Sequence, residues 1–207
     1  MTTDFYISVI IMLIVAVIPT GLIFSFLFDG RDIRKLGSGN IGGTNIGRIY
    51  GWTYGILIIL LDACKAAFIV SFVKTLSIVE NLGPNQLFSV QIIVGIIVVL
   101  LNTFNPLLGF KGGKGIATGI GILLGADPQI AALTFGAFLV MFATQKFKRD
   151  NLWKASITGA FTAPFCSLAL ERPGTETSLL FILIPLVLFS HRNNIKNYNQ
   201  SLKKPLK

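Results

Sequence analysis

The sequence predicts an all-α membrane protein: a polytopic bundle of about seven transmembrane helices, N-terminus outside and C-terminus in the cytoplasm. Three observations carry this. Of 207 residues, 53% are hydrophobic and only 13% charged, with a mean hydropathy of +0.73; a soluble domain carries about 25% charged residues. Apolar runs of membrane-crossing length recur along the chain. The basic residues concentrate in alternate gaps between those runs, which puts nearly all of them on one side of the membrane. The length suits a single domain, residues 1–207, with no soluble second one.

The first run, 5–28, is uncharged for 24 residues and reaches across a bilayer as one helix. The start Met-Thr-Thr-Asp lacks the basic n-region of a cleaved signal peptide, so this helix is expected to be retained. A polar stretch, 29–48, follows. The second run, 49–73, is interrupted by Asp62 and Lys65, which stand three apart on one helical face. Intramembrane charges are costly; a structural ion pair is favoured over a substrate role because i,i+3 partners satisfy each other. The third run is uncharged from Asn81 to Phe110. A second glycine-rich stretch occupies 106–118. The remaining runs are 115–126, 128–145, 155–170 and 177–190. All but 128–145 fall short of ~18 residues, so polar flanks extend them or one is re-entrant. Gly125-Ala126-Asp127-Pro128 and Arg172-Pro173-Gly174 read as tight connections. Gly115/Gly119, Gly121/Gly125 and Ala155/Gly159 have the small-xxx-small spacing of close helix packing.

The charges give the orientation. With the N-terminus outside, the inside segments 29–51, 105–116, 146–155 and 191–207 hold four, two, four and five Lys/Arg. Only Lys74 and Arg172 fall outside. The net charge of +9 is therefore topological, not a nucleic-acid patch. Cys64 and Cys166 lie in apolar runs and imply no disulfide framework. A lone histidine, His191, cannot make a metal site. Residues 37–42 fit GxGxxG, but no strand–turn–helix unit surrounds them. Gly113-Lys114 resembles the end of a P-loop, but Leu108 and Gly115 stand where Gly and Ser/Thr belong. No nucleotide is implied.

Three polar islands share the cytoplasmic side in this topology. The first runs Gly37-Ser38-Gly39-Asn40-Ile41-Gly42-Gly43-Thr44-Asn45, with Arg48 one turn on. The second is Lys111-Gly112-Gly113-Lys114-Gly115, and the third His191-Arg192-Asn193-Asn194. Glycines turn the backbone sharply and can aim successive N–H groups at an anion, and a lysine adds a point charge. The following helix start adds positive dipole. The combination suits phosphate; the alternative is that glycines only close cytoplasmic loops and lysines only orient helices. With no nucleophilic elbow and no Ser-His-Asp arrangement, a transfer reaction here is expected to run by direct attack of one bound substrate on another.

These segments resemble the three cytoplasmic motifs of the bacterial acyl-phosphate-dependent glycerol-3-phosphate acyltransferases. The matched residues are Gly37–Asn40 through Thr44, Asn45 and Arg48; Gly109–Gly115 with Ala117 and Thr118; and His191, Arg192, Asn194 and Ile195. Leu61, Asp62 and Lys65 match a pattern in the second span. The resemblance implies transfer of an acyl group from acyl phosphate to glycerol 3-phosphate. The products are lysophosphatidic acid and phosphate, and the setting is phospholipid synthesis in the bacterial cytoplasmic (inner) membrane. No cofactor, metal or nucleotide is implied. It assigns the phosphate cradle to Ser38, Gly39, Asn40, Thr44, Asn45 and Gly112, Gly113, Lys114 and Gly115, and glycerol 3-phosphate contacts to Arg48, Lys114, His191 and Ser156. Arg192 and Asn194 join them as substrate-binding positions. The chain departs from the pattern at Asn102, Trp153, Asn197, Ser201 and Lys203. Two further readings compete: a transporter of a phosphorylated solute, and a divergent or inactive paralogue. Clustering of the islands on one side, away from a midplane repeat, favours the enzyme.

Overall fold

The computed structural model describes residues 3–148, 151–172 and 174–202, and most of them are helical. They form two compact units, Met1–Ala131 and Ala132–Lys207. Arg149, Pro173 and Lys203 lie outside the described residues.

The first unit is built on α4 (Trp52–Phe72). Around it pack α1 (Thr3–Val17), α2 (Thr20–Asp29), α3 (Gly43–Tyr50), α5 (Pro84–Thr103) and α6 (Ile116–Ala126). Two helical segments, Trp52–Thr75 and Pro84–Leu108, are long and apolar enough to cross a membrane. The run 5–28, expected as one helix, is instead two helices bent by 57°. Pro19 explains the break: it has no N–H to donate and pushes Ile18 out of the helical region.

Small residues let α6 and α3 press onto α4. An added Cβ at Gly121 would fall 2.1 Å from the Ala63 carbonyl oxygen, and one at Gly125 2.7 Å from that of Ala67. The expected packing role thus holds for Gly121/Gly125, whereas Gly119 faces open space. Gly43 and Gly47 of α3 meet Gly55 of α4 in the same way. Gln91, buried on α5, donates to the carbonyls of Val70 (2.9 Å) and Gly125 (3.3 Å), tying α5 to α4 and α6. A cluster of Leu22, Ile33, Ile41, Ile46 and Ile58 lies under the first island.

The tight connection expected at Gly125-Ala126-Asp127-Pro128 is one residue long, Asp127 alone separating the end of α6 at Ala126 from a helix that begins at Pro128. Asp127 caps α7 (Pro128–Thr144) by accepting from Gln129 and Ile130 N–H at 2.9 and 3.2 Å, and Pro128 takes the first helical position.

The second unit contains the rest of α7, α8 (Leu152–Ala169), α9 (Gly174–Phe181), α10 (Leu183–Ser190) and α11 (Arg192–Leu202). Gly159 lies against Thr134 and Phe138 of α7, the close approach its spacing predicts. The hydroxyls of Ser167 and Thr177 bond at 2.9 Å between α8 and α9. The run 177–190 is interrupted at Ile182, three residues before Pro185, and α11 leaves it at 56°. Rows of exposed Ile, Leu and Phe line α1, α4 and α5, as expected of helices whose solvent is lipid.

Candidate substrate-binding site

The first island is organised by one side chain. Asn45, in the first turn of α3, is 1% exposed. Its Nδ2 donates to the carbonyls of Asn40 (2.9 Å), Leu36 (3.0 Å) and Ile33 (3.4 Å), and its Oδ1 accepts the Ser38 N–H at 2.9 Å. The loop therefore folds around an amide. Gly37 is required there: its φ is +56°, and a Cβ would sit 2.4 Å from Asn45 Oδ1. Asn40 accepts the Gly42 N–H at 2.9 Å, which starts α3. Ser38, Gly39, Thr44 and Arg48 are left exposed on the outer side.

The second island doubles back on the end of α5. The N–H groups of Gly112 and Gly113 donate to the carbonyls of Thr103 and Asn102, each at 3.0 Å. This differs from the expectation that these glycines aim their N–H groups at an anion. Helix α5 ends in orphan carbonyls, and the loop satisfies two of them. Gly112 and Gly113 thus shape the loop, and what it can offer an anion is the Lys114 side chain and the start of α6. Asn102, one of the departures, supplies a backbone acceptor here and is buried.

The two islands touch: Asn40 Nδ2 donates to the Gly112 carbonyl at 3.3 Å, across 72 residues of sequence. The starts of α3 and α6 are thereby held in one neighbourhood. Lys114 is half-buried there. Burial pushes its ammonium below the ordinary lysine range, and the positive charge of Arg48 pushes it further the same way. Two cations, one from each island, are close enough to repel. An anion between them removes that penalty.

The remaining sequence-predicted residues belong to the second unit. His191 caps α10 and is buried, with Nδ1 2.9 Å from the Val187 carbonyl. With the proton on Nδ1 that bond fixes the ring, and Nε2 carries the lone pair. Ser156 bonds back to the Leu152 carbonyl at 3.0 Å on α8. Arg192 donates to the Phe189 carbonyl at 2.9 Å, its guanidinium 4.1 Å from that ring centre. Asn194 lies in the first turn of α11 and is half-buried. Trp153, another departure, packs edge-on against Tyr198 of α11 at 5.7 Å, with Lys154 4.0 Å from the Tyr198 ring centre. Ser201 bonds to the Tyr198 carbonyl at 2.6 Å. Among the described residues, no group of three His, Cys, Asp or Glu side chains could hold a metal.

The ion pair expected between Asp62 and Lys65 is present at 2.9 Å. Sequence reading missed its neighbours. Thr20 and Asn105, polar residues beside Pro19 and at the end of α5, also bond at the α1–α2 break. A proline inside an apolar run facing a charged pair was the available signal.

Comparison with known proteins gives the family. The family described as glycerol-3-phosphate acyltransferase matches residues 6–201. The glycerol-3-phosphate acyltransferase of Leptospira borgpetersenii is 38% identical over 182 residues, covering 86% of this chain and 80% of that one. The Thermus thermophilus protein of that description is 33% identical over 190 residues, 91% and 88% of the two chains. The fold is similar to crystal structures of PlsY, an integral membrane glycerol 3-phosphate acyltransferase. For its glycerol 3-phosphate form the TM-score is 0.81 at 27% identity, covering 99% of this chain and 96% of that one. For the lysophosphatidic acid form the TM-score is 0.79. Matched almost end to end in sequence and fold, this integral membrane chain belongs to the glycerol-3-phosphate acyltransferase family.

Proposed function

We propose that the chain transfers an acyl group from acyl phosphate to the hydroxyl of glycerol 3-phosphate, releasing lysophosphatidic acid and phosphate. The observation that carries this is the joining of two glycine-rich segments, each bearing a cation and a helix start, through Asn40 and Gly112. Acyl phosphate is already activated, so the reaction needs no covalent enzyme intermediate. It needs two phosphates held together against their repulsion, with the attacking oxygen in reach of the acyl carbon. Arg48 and Lys114 supply the charge, and Ser38, Gly39, Thr44 and Gly115 with the starts of α3 and α6 supply polar contacts. Asn40, Asn45, Gly112 and Gly113 set the shape of that cradle. His191, Ser156, Arg192 and Asn194 are assigned to glycerol 3-phosphate on family resemblance. The substrate phosphate itself takes the hydroxyl proton.

The chain is placed in a bacterial inner membrane, crossing it about seven times with the islands in the cytoplasm. Supporting this are the fifteen Lys/Arg on the inside segments against two outside. Reporter fusions at residue 207 and in the 80–86 loop should read opposite sides. A cytoplasmic 80–86 loop overturns that topology. For the activity, the purified protein should release phosphate from acyl phosphate only when glycerol 3-phosphate is present. Release without the acceptor, or none with it, refutes the assignment.

A further inference from the structure

We infer that Asp62 and Lys65 form a clasp that fixes the break between α1 and α2, and thereby positions both glycine-rich segments for acyl transfer. The inference rests on the cradle reading above and concerns residues that need not touch substrate.

The break at Pro19 leaves the Val17 and Ile18 carbonyls without i+4 helical partners, Ile18 keeping a tight-turn bond from the Thr20 N–H at 3.1 Å, and in an apolar setting an under-satisfied carbonyl is expensive. Two side chains from distant parts of the unit take them. Asn105 Nδ2 donates to the Val17 carbonyl at 2.7 Å, and Lys65 Nζ to the Ile18 carbonyl at 2.8 Å. Lys65 also pairs with Asp62 at 2.9 Å, and Asp62 accepts the Thr20 hydroxyl at 2.7 Å. The two charged side chains are 9% and 13% exposed. Their polarity is set by the helices they face. Lys65 sits at the C-terminal, negative end of α1, and Asp62 at the N-terminal, positive end of α2. An apolar pair of similar volume would cover this face of α4 without the desolvation penalty. It could neither donate to Ile18 nor accept from Thr20.

The clasp reaches the cradle by two routes. Thr20 is followed by Gly21, where an added Cβ would fall 1.9 Å from the Ile41 carbonyl oxygen. The first turn of α2 therefore lies against the backbone of the first island, one residue past Asn40. Asn105 opens the turn into the second island: its Oδ1 accepts the Leu107 N–H at 3.0 Å and its carbonyl the Phe110 N–H at 2.8 Å. The Asn40–Gly112 bond closes the circuit. A change in the α1–α2 angle must shift one island relative to the other.

The test uses the full-length protein in lipid nanodiscs, with kcat and KM measured for each substrate and a thermal unfolding midpoint for every variant. Lys114→Ala serves as the reference for the cradle. Thr20→Val removes only the hydroxyl donated to Asp62; kcat should fall three- to tenfold, KM should change less than twofold, and the midpoint should hold. Lys65→Met should lose at least 30-fold in kcat. The exchanged pair Asp62→Lys/Lys65→Asp should recover neither the wild-type turnover nor the full unfolding midpoint, because its polarity opposes both helix ends and sets a carboxylate against the Ile18 carbonyl. Thr20→Val and Lys65→Met within twofold of wild type, with Lys114→Ala inactive, overturn the clasp and leave the cradle standing. Full turnover in the exchanged pair reduces the clasp to charge neutralisation and overturns it too. An active Lys114→Ala removes the cradle, and the clasp with it. Should Lys65→Met fail to fold, Thr20→Val decides alone.

Discussion

Replacing Gly112 by alanine adds one methyl group where the structure has no room for it. The new Cβ would stand 2.0 Å from the Asn102 carbonyl oxygen and 3.0 Å from that of Thr103. Both contacts are to backbone at the end of α5, so neither neighbour can rotate away. A carbon and an oxygen need roughly 3.3 Å, the lower end of the weak C–H···O range, so the loop must retreat by about 1 Å. That retreat breaks the Gly112–Thr103 and Gly113–Asn102 hydrogen bonds, a loss of about 1–3 kcal/mol at ~0.5–1.5 kcal/mol per bond. It also carries Lys114 out of register with the first island, and a ~1 Å misplacement costs on the order of 100-fold in rate. The prediction is a drop of about 100-fold in kcat/KM, measured as phosphate release with both substrates varied. Gly119→Ala is the matched control. It lies on α6 with nothing within 4 Å, so it should be neutral or stabilise by up to ~1 kcal/mol. Equal activities for the two variants would refute the steric argument and the view that loop position governs catalysis.

The lowered pKa of Lys114 has a signed consequence: below it the ammonium is charged and can hold phosphate, and above it the charge is lost. The kcat/KM profile should fall on the alkaline side at a pH below the ordinary lysine value of ~10.4. Lys114→Arg should abolish that limb while impairing turnover, because a guanidinium stays charged but does not replace a compact ammonium; a wild-type profile flat to ~10.4 contradicts the assignment. Asn45→Asp exchanges a donor for an acceptor facing three carbonyls and should destabilise the protein by about 3 kcal/mol or more. A thermal midpoint near wild type would show that the loop does not depend on this amide. His191→Ala should weaken glycerol 3-phosphate far more than acyl phosphate, and unchanged KM and turnover for glycerol 3-phosphate would remove His191 from the substrate-binding set.

Local chemistry in the sequence already determined the solvent, the helical class, the three polar islands and the family. Apolar runs without charge have no alternative to helix in lipid, and the glycine-cation segments are short enough to read in one window. The Asp62–Lys65 pair was legible for the same reason, since i,i+3 spacing is local. Its surroundings were not: Lys65 donates to the Ile18 carbonyl across 47 residues, and Asn105 takes the neighbouring Val17 carbonyl across 88. The roles within the islands were likewise decided by tertiary structure. Glycine N–H groups can serve an anion or a helix end equally well, and only the return of the second island onto α5 assigns those of Gly112 and Gly113 to carbonyls. Asn45 reads as a polar ligand until its amide is seen to be filled by four backbone groups of its own loop. Charge, hydropathy and spacing are properties of neighbours in sequence. Which donor meets which acceptor depends on packing between segments far apart in the chain, and that is where this site acquires its shape.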